Sequence, residues 1–90
     1  MKCYIITYEP MQANFNLQPL YDAIKAYGFW ARITESVWAV VTDQTAVQIR
    51  DNLSHFLPES KRLFVIRSGA ESAWVNVMCN HEWLKTNLIK

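Results

Sequence analysis

The sequence predicts an α+β domain with an antiparallel sheet and two helices on one of its faces. Three observations carry this. Short runs rich in β-branched and aromatic residues recur along the chain. Two amphipathic segments with helical spacing interrupt them after the first and third runs. Each boundary carries a proline, a glycine or a capping residue. The ninety residues suffice for one domain, 1–90, near the size at which a single core is only marginally sufficient.

The first run, "KCYIITYE", is apolar on both alternating faces, as in a central strand covered on each side. It stops at Glu9, because Pro10 lacks an amide proton and biases the preceding residue toward extended backbone. The loop "MQANFN" follows. Asn16 is placed to cap a helix in which Leu17, Leu20, Tyr21, Ile24 and Tyr27 recur at helical spacing. Pro19 fits the first turn and Gly28 supplies the stop.

"FWARIT" and "SVWAVVT" read as a hairpin with Glu35 at their junction. Thr45 followed by Gln48 is a capping-box pattern. It opens a helix with Ala46, Ile49, Leu53, Phe56 and Leu57 on its buried stripe and Pro58 at its end. "RLFVIRS" is a fourth strand, "AWVNV" a short fifth, and "HEWLKTNLI" a closing helix capped by Asn80. The order is the ferredoxin-like βαββαβ arrangement, extended by a short fifth strand and a C-terminal helix.

Composition narrows the function classes. The formal net charge is +1, which argues against tight, nonspecific binding along a nucleic-acid backbone. Two cysteines with no Cys-x-x-Cys spacing are too few for a secreted disulfide framework, so a cytoplasmic protein is expected. The apolar run after Lys2 is too short for a signal peptide, and no segment approaches a membrane span. The aromatic content, four Trp, four Tyr and four Phe, exceeds what one small core needs and points to a homodimer.

The expected sheet order places the first strand between the third and fourth. Glu9 then approaches Ser36 and the Glu35 turn on one side, and Lys61 and Arg62 on the other. Asp43 falls on the opposite rim. Glu9 is either a solvated strand end or a functional carboxylate, and both readings stand at this level. Two such carboxylates meeting across a dimer axis would favour a shared proton or a bound cation. Mg²⁺ suits that setting, since it keeps several waters and needs one or two carboxylates. A metal so held can assist phosphodiester cleavage.

The runs "IITYE", "LQPLYDAIKAYG", "WARITESVWAVVT", "AVQIRDNLSHFL" and "LFVIRSGAESAW" together resemble the CRISPR-associated Cas-two-like family, in particular its small SinR group. The virulence-associated protein D family is a more distant likeness. The resemblance covers nearly the whole chain. It implies a homodimer of ferredoxin-like subunits whose late strand adds to the partner's sheet, with Tyr8, Trp74, Val75 and Val77 at the dimer contact. It also implies association with DNA or RNA and, in several members, Mg²⁺-dependent endonuclease activity. The acidic position at the end of the first strand is usually aspartate in that family. Here Glu9 stands there, one methylene longer, as metal ligand and catalytic residue, with Ser36 beside it. Lys61, Arg62 and Arg67 are the candidate phosphate contacts.

Plainer roles compete with each of these. Ser36 and Glu35 serve equally well as turn residues, and Lys61 and Arg62 as charges decorating a strand entry. Tyr8, Trp30, Trp38 and Trp74 can stack on bases, but their strand positions favour packing. Cys79, His81 and Glu82 form only a fragment of a zinc site, which needs four ligands. His55 has no evident nucleophile beside it, and with two glycines there is no phosphate loop. Two further classes stay open: a noncatalytic scaffold or toxin–antitoxin-type partner of another protein, and a small-ligand sensor. For the last, the sequence supplies no convergent polar pocket.

Overall fold

The computed structural model describes residues 1–89, so Lys90, the last residue of the expected domain, lies outside the described residues. The chain is a mixed α+β protein. Strand β1 (Lys2–Glu9) leads to helix α1 (Gln18–Lys25), then strands β2 (Phe29–Thr34) and β3 (Val37–Thr42). Helix α2 (Ala46–Ser54), strand β4 (Arg62–Arg67) and helix α3 (His81–Asn87) follow. The four strands form one antiparallel sheet in the order β2-β3-β1-β4.

Alternation along β1 builds two cores. Tyr4, Ile6 and Tyr8 point to one face, where they meet Leu20 and Ile24 of α1 and Ile49 and Leu53 of α2, with Trp38 and Val40 from β3. Cys3 points to the other face and packs with Ala39, Val41, Leu84 and Leu88 beneath α3. A strand covered on both sides has no polar face to show, which is why "KCYIITY" reads as continuously apolar.

Local chemistry sets the boundaries. The Thr45 side chain accepts a bond from the Gln48 amide while Gln48 Oε1 accepts one from the Thr45 amide, completing the capping box. Pro19 sits in the first turn of α1, whose N-cap position is Leu17 rather than Asn16. Asn16 still serves the helix start, because its Oδ1 accepts from the Gln18 amide at 3.1 Å. Gly28 leaves the helix at φ +91°, a left-handed conformation that a side chain would strain. Asn80 Oδ1 accepts from the Glu82 amide at 2.7 Å and opens α3.

One expected element is absent. Residues 73–77, "AWVNV", form no strand. Asn76 stands at φ +56°, a left-handed conformation that breaks an extended run. The Met78 amide then donates to the Ile33 carbonyl at 2.9 Å, tying this connector to β2. Trp74 and Val77 pack against the second core instead of pairing along a ladder.

Candidate functional site

Register carries Glu9 to its neighbours. Glu9 pairs with Arg62 across β1 and β4, and Thr7 pairs with both Phe64 and Val37. Paired residues project to the same face of a sheet, so the acid and the guanidinium meet at the rim. Arg62 Nη1 donates to Glu9 Oε1 at 3.3 Å. Both side chains are well exposed, 68% and 62%, so the pair adds at most about 1 kcal/mol to stability. It is a rim feature open to ligands.

Thr7, Tyr8, Glu9, Ser36, Arg62, Leu63 and Phe64 enclose a mainly polar hollow of about 430 Å³. Glu9, Ser36 and Arg62, the three residues expected to meet there, therefore share one site, and Tyr8, expected at a dimer contact, borders it too. Thr7 and Phe64 complete it. The alternation of β1 and its pairing with β3 and β4 put them on the Glu9 face, a signal present in the strand order itself.

The position of the Ser36 turn is fixed by Arg32, which sequence reasoning did not single out, acting with Glu35, Tyr8, Tyr21 and Trp38. The Glu35 carbonyl oxygen accepts from Arg32 Nη2 at 2.7 Å, from Arg32 Nε at 3.2 Å and from the Tyr8 hydroxyl at 3.4 Å. Arg32 is itself stacked over the Tyr21 and Trp38 rings, at 4.6 and 5.1 Å to their centroids. It also donates to the Tyr21 hydroxyl at 3.2 Å. This arginine–carbonyl knot holds the β2–β3 turn against the end of β1.

Tyr8 belongs to the knot and to the core. Its side chain is only 3% exposed, so it offers no surface for stacking on a base or for a dimer contact. Trp38 Nε1 donates to its hydroxyl at 3.2 Å. Burial pushes the Tyr8 hydroxyl up to about 12, with the Trp38 bond pulling the other way.

The remaining candidates are dispersed. Lys61 closes the turn after α2, its amide donating to the Pro58 carbonyl, and does not line the hollow. Arg67 lies at the far end of β4 opposite Tyr4, five residues from Arg62 and so roughly 17 Å along the strand. Asp43 pairs with the N-terminal amine at 3.4 Å on the opposite rim, as expected. Val75 is 87% exposed, while Trp74 and Val77 are half-buried. His81 Nδ1 accepts from Trp74 Nε1 at 3.1 Å, and Glu82 faces Lys85 at 3.9 Å. Among the described residues, no three His, Cys, Asp or Glu side chains converge on a point that could hold a metal.

That last finding bears on Mg²⁺. One chain offers the hollow a single carboxylate, and a guanidinium already stands 3.3 Å from it. A cation in that position opposes a second cation. Among the described residues, the hollow of one subunit thus sets a single carboxylate beside a competing cation. What its residues do make is a recess with Arg62, Glu9 and the hydroxyl-bearing Thr7 and Ser36, the third hydroxyl, that of Tyr8, being engaged by Trp38 and Glu35; Arg62, Thr7 and Ser36 are suited to hydrogen-bonding a phosphate oxygen. No helix of the described residues is long and apolar enough to cross a membrane. Comparison with protein-family models, with curated proteins and with solved structures gives no match.

Proposed function

We propose that the chain acts as a cytoplasmic homodimer of the Cas-two-like, ferredoxin-like type and engages a nucleic-acid backbone at the Glu9–Ser36–Arg62 hollow. The single observation that supports this reading is the convergence of those three side chains on one polar recess at the rim of the sheet. Arg62 is the phosphate contact, with its guanidinium exposed and its fork geometry matched to phosphate oxygens. Ser36 and Thr7 are the neutral donors beside it. Glu9 orients the guanidinium and also repels the backbone, which keeps the interaction weak, in agreement with a net charge of +1.

The dimer reading rests on the β4 side of the molecule. Among the described residues β4 pairs only with β1, so its outer edge is open. Phe64 and Ile66 on that strand are 58% and 48% exposed, in addition to Val75. An open edge lined with apolar side chains is a standing invitation to pair. The dimer so formed sets the open edge of β4 against that of a second copy, leaving residues 73–77 packed on their own subunit.

Glu9 and Arg62 also discriminate binding from hydrolysis. An Mg²⁺-dependent endonuclease would need the two Glu9 carboxylates together at the dimer axis and both Arg62 side chains turned away. The in-chain ion pair favours binding without cleavage. The test is oligonucleotide binding and cleavage by wild type, Arg62→Ala and Glu9→Gln, with and without Mg²⁺. Arg62→Ala weakens binding and lowers the salt slope by roughly one unit per contact. Glu9→Gln tightens binding, because a repelling charge is gone. Wild-type cleavage that needs Mg²⁺ and vanishes in Glu9→Gln would replace this reading with the endonuclease. No binding to DNA or RNA of any form would leave a scaffold for a protein partner.

A further inference from the structure

The outer face of the sheet, opposite α1 and α2, is only partly roofed by α3. Where the roof stops there is a cavity of about 300 Å³ between β4, the 67–74 connector and α3. Ile5 and Ile66, which pair across β1 and β4, line its floor together with Ile33 of β2. Leu84 and Leu88 form the wall on the α3 side, and Trp74 the wall on the connector side.

We propose that this cavity is a binding site for a compact, uncharged, aromatic or branched-aliphatic small molecule of about two fused rings. Volume sets the size. An apolar cavity of roughly 150 Å³ accepts a benzene ring, and this one is about twice as large. The wall chemistry sets the polarity. Its walls are overwhelmingly apolar, in the manner of small-molecule sites in general. The Ser68 proton is already committed, since the hydroxyl donates to the carbonyls of Cys3 and Leu88. Arg67 and Glu71 both line the site, one cation and one anion, so neither an acid nor an amine is preferred. Ser72 is left to hydrogen-bond a single hydroxyl or carbonyl on the ligand.

Trp74 is the adjustable wall. It belongs to a connector without regular structure, and its indole is steadied by the bond to His81 Nδ1. Occupancy of the cavity would press the indole onto a ligand and order residues 69–79. This site shares no residue with the Glu9 hollow, so its failure and the failure of the backbone-binding reading are separate events; it shares Ile66 with the β4 dimer contact, which the dependence on protein concentration reads out separately.

The chain carries its own internal control. Ile5, Ile33 and Ile66 line the cavity, whereas Ile6, Ile24 and Ile49 lie in the core beneath α1 and α2. The 90-residue chain with isotope-labelled isoleucine δ1-methyls is titrated with 2-naphthol, which is neutral at pH 7, and then with 2-naphthoate and 2-naphthylmethylammonium. The expected result is a saturable shift of the first three methyls by 2-naphthol with the second three unmoved. The charged probes bind roughly tenfold or more weakly. Ile66→Trp, which fills the cavity from an exposed strand, removes the shifts at Ile5 and Ile33 while the three core methyls keep their positions. No saturation by 2-naphthol overturns the proposal, as do equal shifts of all six methyls or equal binding of 2-naphthoate. It is also overturned if Ile5 and Ile33 shift with protein concentration alone and 2-naphthol no longer binds, because a second copy then fills the space.

Discussion

At the scale of single residues, Tyr8 is the most informative side chain. Its hydroxyl accepts from the Trp38 indole, which is itself buried, and donates to the Glu35 carbonyl. Tyr8→Phe removes that acceptor and strands a buried N–H, which costs about 1–3 kcal/mol and is read from urea denaturation. The hydroxyl also predicts a pH dependence. Its folded value, about 12, lies above the ordinary value of 10.0. Between those pH values the unfolded chain has released the proton that the folded chain retains, so stability falls as pH rises from 10 to 12 and is unaffected below. Wild type should lose on the order of 2 kcal/mol across that window relative to Tyr8→Phe. Equal slopes for the two proteins would show that the hydroxyl is not held as described. The side chain's direction was not legible in the sequence. Tyr4, Ile6 and Tyr8 share a parity, but β1 is apolar on both parities, so nothing in it says which face the first two helices cover.

At the scale of elements, legibility followed local chemistry. The Thr45–Gln48 capping box, Pro19 in the first turn, Gly28 beyond α1 and Asn80 before α3 each act through a few neighbouring atoms, and each does what its residue type dictates. Thr45→Ala should cost about 1 kcal/mol by loss of the cap, with the far-ultraviolet spectrum retained and the denaturation midpoint lowered. The connector at 73–77 is the opposite case. Val75 and Val77 favour a strand, but Asn76 adopts φ +56° and the Met78 amide binds Ile33, a contact far away in sequence. Propensity lost to a tertiary bond. Asn76→Val forces a β-branched residue into that conformation and should destabilise the single chain by about 1–2 kcal/mol, whereas Asn76→Gly should be close to neutral. A stabilising Asn76→Val would mean that residues 73–77 are extended in solution.

At the scale of the whole molecule, strand order made the Glu9 site legible. Placing β1 between β3 and β4 predicts that Glu9 meets Ser36 and Arg62, and those residues do share a recess. The Arg32–Glu35 knot and the cavity under α3 were not legible: the first depends on an arginine folding back onto a carbonyl three residues along, over rings from α1 and β3, and the second on side chains brought together by packing. The same global view yields the prediction for assembly. Phe64 is exposed in the single chain, so Phe64→Glu removes no core contact and the subunit should fold with an unchanged denaturation midpoint at low concentration. In a twofold dimer built on β4, the two introduced carboxylates approach each other in a desolvated contact and repel. Sedimentation velocity should find wild type as a dimer and Phe64→Glu as a monomer at the same concentration. Thr45→Ala, which loosens the α2 cap without placing a charge on β4, should remain dimeric. A wild type that stays monomeric at high concentration would remove the dimer and, with it, any route by which two Glu9 carboxylates could meet. Binding of nucleic acid at Arg62 would then have to be a property of the single subunit, with one arginine per recess and a correspondingly shallow salt dependence.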